Sequence, residues 1–200
     1  MSIKINYKNN VSKKSSKNLI LFAEEGFDIS GLKNYLSNIE FSYISDLLKN
    51  SDFKKDILFF EINSQKKIFL ISIKKNLKNS DIENLGAKFH GYVNYDKNND
   101  YYINSDTISN KKENFIGYFL HGLKLKSYEF NIYKSKKNKR LISINVIGKK
   151  NKISAQNQLR FKALEEGSFF ARDLVSEPGN ILHPDEYAKR INTLKKFGLK

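Results

Sequence analysis

The stretch DILFFEINSQKKIFLISI, Asp56–Ile73, decides the fold class of this 200-residue chain. It contains two apolar runs, Asp56–Asn63 and Lys66–Ile73, on either side of the polar pair Ser64-Gln65. Short apolar runs that are bounded by turn residues predict β-strands. Because both runs are almost continuously apolar, we expect both strands to be buried on their two faces, as in a sheet that helices cover on both sides.

Further strand patterns occur upstream and downstream of this pair. Asn18–Glu25 (NLILFAEE) is another short apolar run, and Gly26 ends it. Four more strands are predicted at Ile3–Tyr7, Asp100–Ser105, Tyr128–Tyr133 and Arg140–Gly148, the last two on either side of a charged turn.

The segments between these strands have helical patterns. Ser80 and Glu83 have the spacing of a capping box, which predicts a helix start. Longer helices are predicted at Glu113–Lys126, Ile153–Val175 and Pro184–Phe197, and two short ones at 32–40 and 43–50. Strands that alternate with helices predict an α/β fold. We therefore expect a mixed sheet that is flanked by helices and followed by a long linker helix.

The composition excludes several classes of protein. With no cysteine, the chain has no disulfides, no thiolate metal ligands and no cysteine nucleophile. No apolar run reaches the roughly 18 residues of a membrane span, and the N-terminal MSIKINYKNN lacks the apolar segment of a signal peptide. We expect a cytoplasmic protein that does not associate with membranes.

The net charge of +15 leaves two interpretations open. Most of the basic residues are lysine, whereas recognition of bases and bidentate binding of phosphate favour arginine. The charge is therefore either a solvated lysine surface or a surface that binds a polyanion. The densest basic run predicts a possible polyanion-contact patch at Lys134, Lys136, Lys137, Lys139 and Arg140.

Motifs of catalytic and metal sites are missing from the sequence. His90, His121 and His183 are far apart and do not form a metal-binding pattern. Phosphate-binding glycine loops and the G-x-S-x-G motif are absent. The run from Asp96 to Thr107 is similar to a calcium loop but lacks its glycine and its final glutamate, which predicts a polar loop. The patterns predict no catalytic, metal-binding or cofactor-binding residue.

The segment ARDLVSEPGNILHPDEYAKR, Ala171–Arg190, is more specific. It resembles the junction of the leucyl (cytosol) aminopeptidase family, in which a helix ending in a pattern like A-R-D-L-V-N-E-P-x-N leads into L-T-P. The matching residues are Ala171, Arg172, Asp173, Leu174, Val175, Glu177, Pro178, Asn180, Leu182 and Pro184. The chain departs from the pattern at Ser176, Gly179 and His183, and a histidine is a weaker helix N-cap than the usual threonine.

This resemblance extends more loosely upstream, to Ile82–Gly86 and to Tyr128–Lys137. It implies a macro-domain-like N-terminal domain at residues 1–150, a linker helix at 151–176, and the truncated start of the catalytic domain at 177–200. The family's Asn-Thr-Asp-Ala-Glu-Gly-Arg-Leu signature is absent, so no catalytic or metal-binding residue can be transferred to this chain.

The resemblance also implies a function and partners. The full-length family enzyme is expected to use two divalent metals, zinc or manganese, to hydrolyse N-terminal residues from peptides, and to form a hexamer. This chain would be the non-catalytic portion, inactive alone, that serves oligomer assembly and access to the active site. The alternative is a basic nucleic-acid-binding α/β module with weak DNA binding. Binding of ADP-ribose by a macro-like domain is disfavoured by the missing glycine-rich loops.

Overall fold

In the computed structural model, which describes residues 2–8, 18–50, 54–109, 112–135 and 140–198, the strands form one sheet. The strands are β1 Ser2–Tyr7, β2 Asn18–Glu24, β3 Ile57–Asn63, β4 Lys66–Ile73, β5 Asp100–Asn104 and β6 Leu141–Ile147. Their spatial order is β1-β6-β5-β2-β4-β3. The β3–β4 pair is antiparallel and the other neighbouring pairs are parallel, so the mixed α/β sheet expected from the sequence is confirmed.

Helices lie on both faces of the sheet. They are α1 Asn38–Leu48, α2 Asn79–Tyr95, α3 Phe115–Lys126, α4 Ala155–Ser176 and α5 Pro184–Asn192, with short 3₁₀ segments at Ser30–Tyr35, Ser105–Thr107 and Thr193–Phe197. The capping box of α1 was not predicted: Ser37 Oγ accepts from the Glu40 amide, and the Glu40 carboxylate accepts from the Ser37 amide. The spacing S-x-x-E at 37–40 was its sequence signal.

The central strand β2 contacts a separate core on each face. Leu19, Leu21 and Ala23 pack with α1 and the first 3₁₀ segment, whereas Ile20 and Phe22 pack with α2 and α3. All of these side chains are buried, as expected for a strand with parallel neighbours on both sides. The apolar run that begins at Asn18 therefore fixes the middle of the molecule.

The core beneath α2 and α3 is rich in phenylalanine. Phe22 makes edge-to-face contacts with Phe115 and Phe119, at centroid distances of 5.5 and 5.4 Å. Phe89 of α2 makes another with Phe69 of β4 at 5.5 Å. Such pairs stabilise a core by about 0.5–1.5 kcal/mol each beyond the area they bury.

Helices α2 and α3 touch through their backbones. A Cβ atom on Gly86 would lie 1.9 Å from the carbonyl oxygen of Phe119, and one on Gly122 would lie 1.9 Å from that of Glu83. These distances are far below van der Waals contact. Only glycine fits at either position.

Several expectations from the sequence are wrong. In place of short helices at 32–40 and 43–50, the chain forms a 3₁₀ segment at Ser30–Tyr35 and the single helix α1 at Asn38–Leu48. Residues 128–133 are not a strand but an irregular segment. Strand β3 is at the sheet edge and leaves Phe59 49% exposed, so it is not buried on both faces as β4 is. Helix α2 begins at Asn79, before Ser80, and its first turn is held by Asp81, whose carboxylate accepts from the Lys78 amide.

Candidate functional site

The segment that resembles the aminopeptidase junction forms the end of α4, a turn and α5. Helix α4 begins after Ser154, whose hydroxyl accepts from the Asn157 amide at 3.2 Å. It packs on α3, where the Phe161 ring lies edge-to-face on Tyr118 at 5.1 Å. Most of its 22 residues remain exposed, and Leu174 is buried. The helix is therefore an outer layer that lies over α3 instead of contributing to the sheet core.

Two adjacent charged residues of α4 hold the irregular segment 128–133. The Tyr128 hydroxyl donates to Asp173 Oδ1 at 2.7 Å. Arg172 donates from Nη1 to the Leu125 carbonyl at 2.6 Å, and its guanidinium lies 5.5 Å from the centre of the Tyr128 ring. These contacts tie Tyr128 to α4, which gives the physical reason why this apolar-polar alternation does not join the sheet.

Glu177 connects three parts of the chain just beyond α4. Its Oε2 accepts from the Tyr133 hydroxyl, and its Oε1 pairs with Arg190 Nη1 at 2.8 Å. Arg190 also pairs with Glu186 at 3.1 Å. The hydrogen bonds from Tyr133 and Arg190 hold the pKa of Glu177 below its ordinary value. The Glu177 side chain is only 2% exposed. Through its contacts with Tyr133 and Arg190 it connects α5 to residues 128–133.

The polyanion-contact patch can be located only in part. Lys136, Lys137 and Lys139 lie outside the described residues, whereas Lys134 and Arg140 lie within them. Arg140 donates from Nε to Asn99 at 2.9 Å and from Nη1 to the Asn94 carbonyl at 3.0 Å, and it also donates to the Asn98 carbonyl. Its guanidinium therefore stabilises the loop after α2.

That loop is built around Asp96. The carboxylate accepts from the Tyr101 hydroxyl at 2.8 Å and from the Asn98 side-chain amide at 3.2 Å, and it pairs with Lys67 at 3.3 Å. Burial raises the pKa of Asp96, but the hydrogen bonds from Tyr101, Asn98 and Lys67 outweigh burial and leave it below its ordinary value. Only the start of the calcium-loop-like run, Asp96–Asn99, is a polar loop; the rest forms β5 and the 3₁₀ segment at Ser105–Thr107.

The three histidines are not brought together. His90 is buried on α2, His121 is buried on α3, and His183 is the residue before α5. His121 Nδ1 lies 2.9 Å from Glu83 Oε1 of α2, a pair that local sequence patterns cannot predict because it joins two helices. Among the described residues, no group of three or more His, Cys, Asp or Glu is arranged to hold a metal ion. None of the described helices is long and apolar enough to cross a bilayer.

These features define a class of protein: a mixed α/β sheet domain that is followed by a long helix, α4, and by a short helix, α5, which an ion pair holds in place. Solved structures with a similar fold include two aminopeptidases. A mutant of tomato leucine aminopeptidase aligns over 98% of this chain and 42% of its own, with a TM-score of 0.70 and 16% identity. The cytosol aminopeptidase of Coxiella burnetii aligns over 97% of this chain and 38% of its own, with a TM-score of 0.63.

Sequence comparison identifies the same group of proteins. The probable cytosol aminopeptidase of Nitrobacter winogradskyi is 29% identical over an alignment of 156 residues that covers 72% of this chain and 30% of the relative. That of Methylobacterium radiotolerans is 34% identical over an alignment of 88 residues that covers 42% of this chain and 18% of the relative. No family model matches the chain.

The chain is therefore a homologue of the leucyl, or cytosol, aminopeptidases, and its fold matches their N-terminal region. It spans less than a third of the length of the curated relatives that it matches.

Proposed function

We propose that this chain is the non-catalytic N-terminal portion of a cytoplasmic leucyl aminopeptidase. The observation that supports the proposal most is the junction: three of the residues that match the family pattern, Arg172, Asp173 and Glu177, connect α4 and α5 to residues 125–133. The family-like sequence pattern thus includes residues whose side chains hold α4 and α5 in place. The division at residues 150 and 176 remains a prediction.

The role of such a portion is to position and not to catalyse. The family enzyme is expected to use two divalent metals, zinc or manganese, and no three or more His, Cys, Asp or Glu side chains among the described residues are grouped to hold one. We propose instead that the rigid connection between the sheet domain and α5 serves oligomer assembly, up to the family's hexamer, and access to an active site.

The direct test is an assay of peptidase activity. The purified chain should release no p-nitroaniline from leucine p-nitroanilide when Mn²⁺ or Zn²⁺ is added. The cytosol aminopeptidase of Nitrobacter winogradskyi, assayed in parallel, is the positive control. Turnover that co-elutes with the chain through two chromatography steps would overturn the proposal.

The net charge of +15 favours a second candidate function, the binding of nucleic acid. A polyanion contact of this kind would be electrostatic and independent of sequence, so affinity for an arbitrary DNA duplex should fall linearly with salt on a double-logarithmic plot. Fluorescence anisotropy between 25 and 200 mM salt, roughly the range in which counterion release dominates, measures it. The absence of binding at the lowest salt would dismiss this candidate.

A further inference from the structure

A cleft lies between β1, α3 and α4, away from the junction. It has a volume of about 510 Å³, within the range typical of small-molecule sites. Ile5 and Tyr7 of β1 form one wall, Leu120 and His121 of α3 form the floor, and α4 closes the other side with Leu159 and Phe161. Most of this lining is apolar.

The floor contains one polar atom without a partner. The His121 side chain is 8% exposed, and its Nε2 atom is buried and has no hydrogen-bond partner among the described residues. On the opposite edge of the ring, Nδ1 faces the Glu83 carboxylate at 2.9 Å. Because a carboxylate accepts, Nδ1 carries the ring hydrogen and donates a hydrogen bond to it, and in this tautomer Nε2 has a lone pair that can accept. Nε2 lies on the side of the ring away from α2, and the Phe161 ring of α4 is close to it.

A single aromatic ring lies on that side. The Phe161 ring is 5.6 Å from the His121 ring, and it occupies the space over Gly117, where a Cβ atom would lie 2.3 Å from its edge. Phe161 belongs to α4, the outer helix, whose side chains are mostly exposed. For a ligand in the cleft to reach the buried Nε2 atom, the Phe161 ring would have to move aside.

The charges around the cleft indicate what kind of molecule it accepts. Lys124 pairs with Glu165 at 2.9 Å, and Lys162 lies 3.7 Å from Glu166. Since each lysine of the lining has a carboxylate beside it, the cleft presents no excess charge to attract an anion or a cation. An uncharged molecule fits it best, and a planar one can lie against the Phe161 and His121 rings.

From the geometry we infer that this cleft is a binding site for a small, uncharged aromatic molecule with one N–H or O–H donor, which His121 Nε2 accepts. Such a ligand satisfies the buried acceptor, whereas an apolar molecule of the same shape leaves it without a bond. This site is separate from the junction, and its existence does not depend on the proposed aminopeptidase role.

Indole and 1-benzothiophene are the matched probes, because they have similar shape but only indole has an N–H donor. Indole should bind about tenfold more tightly, the ratio that one hydrogen bond to a desolvated acceptor provides. Titrations followed by NMR of ¹⁵N-labelled histidine should show the His121 Nε2 resonance moving with indole. Equal affinities, no binding of indole up to its solubility limit, or an unmoved Nε2 resonance would overturn the inference.

Three variants separate the hydrogen bond from general packing. His121→Phe should equalise the two affinities. His90→Phe is the control, because His90 Nε2 is also buried without a partner among the described residues but lies outside the cleft, and the tenfold ratio should survive. Phe161→Leu removes the stacking ring and uncovers Nε2 at once, so 1-benzothiophene should bind more weakly while indole keeps its advantage. If His121→Phe fails to fold, the wild-type ratio and its Nε2 resonance still decide the outcome.

Discussion

Gly86 of α2 shows how one residue can fix the distance between two helices. The Cβ atom that any other residue would add there meets the Phe119 carbonyl oxygen at 1.9 Å, and a backbone atom cannot move aside as a flexible side chain can. Gly91, five residues further along the same helix, has nothing within 4 Å of its added Cβ. A side chain therefore cannot be accommodated at Gly86 but can be accommodated at Gly91.

The variants Gly86→Ala and Gly91→Ala should differ in the sign of their effect on stability. We expect Gly86→Ala to lower the free energy of unfolding by about 1–3 kcal/mol or more, because α2 and α3 must separate. Gly91→Ala should raise it by up to about 1 kcal/mol through helix propensity. Urea denaturation followed by circular dichroism measures both. Equal effects of the two substitutions would show that the helices do not touch at Gly86.

Asp96 makes stability depend on pH. Its pKa is lower in the folded protein than in the unfolded chain, so its stabilisation is complete above the unfolded pKa of about 3.9 and is lost as the pH falls toward the folded value. We expect Asp96→Asn to be less stable than wild type at pH 6 and to lose less stability on acidification. Tyr101→Phe removes one hydrogen bond to the carboxylate, so its loss of stability on acidification should be smaller than that of wild type and larger than that of Asp96→Asn.

The measurement is a series of urea denaturation curves between about pH 2.5 and pH 6, a range that spans the titration of aspartate. If the wild type and Asp96→Asn lose stability in parallel over this range, the carboxylate does not have the lowered pKa that its contacts give it.

At the scale of elements, the sequence predicts those whose signal is local. Local sequence patterns predict β2, β4 and α3. Burial on two faces gives a strand a continuous apolar run, and burial on one face gives a helix apolar residues at intervals of three or four. Tyr128–Tyr133 has a strand-like pattern, yet its partners are Arg172 and Asp173, far along the chain. Contacts between residues so far apart in the chain do not affect the local spacing of apolar residues, so that spacing cannot predict them. The His121–Glu83 pair was missed for the same reason.

Tyr128→Phe tests the tie between this segment and α4. Loss of the hydroxyl leaves Asp173 without this hydrogen bond, so we expect stability to fall by about 1 kcal/mol and amide exchange near the end of α4 to accelerate. Tyr95→Phe is the control, since Tyr95 is 88% exposed. Hydrogen exchange followed by mass spectrometry reports on the two sites separately. Unchanged exchange at residues 170–176 would mean that the hydrogen bond does not hold α4.

The whole molecule combines high positive charge with apolar side chains exposed on its helical extension. Leu159 is 69% exposed, Val175 is 87% exposed and Phe197 is 67% exposed. The charge opposes association between copies of the chain, whereas the apolar side chains favour it. Salt screens the first effect much more than the second. The balance between monomer and oligomer should therefore shift with ionic strength.

Sedimentation velocity at low and high salt tests the proposed homo-oligomer. We expect the weight-average sedimentation coefficient to rise as salt increases from about 50 to 500 mM, because the Debye length shrinks from above 10 Å toward a few ångströms. Val175→Lys should reduce the rise, and Asn38→Lys, with the same charge on the opposite side of the sheet, should reduce it less. A coefficient that stays at the monomer value in all conditions would contradict self-association.

The pairing of β1 with β6 has a consequence for how the chain is made. Ser2 faces Leu141 and Tyr7 faces Val146, so β1 has its hydrogen-bonding partner in β6, the last of the described strands to be synthesised. Until Leu141 has been synthesised, the Ile3 side chain has no completed core to enter, and the growing polypeptide cannot close its sheet. Nascent chains that stall before this point would be bound by chaperones, and release would follow only once β6 emerges.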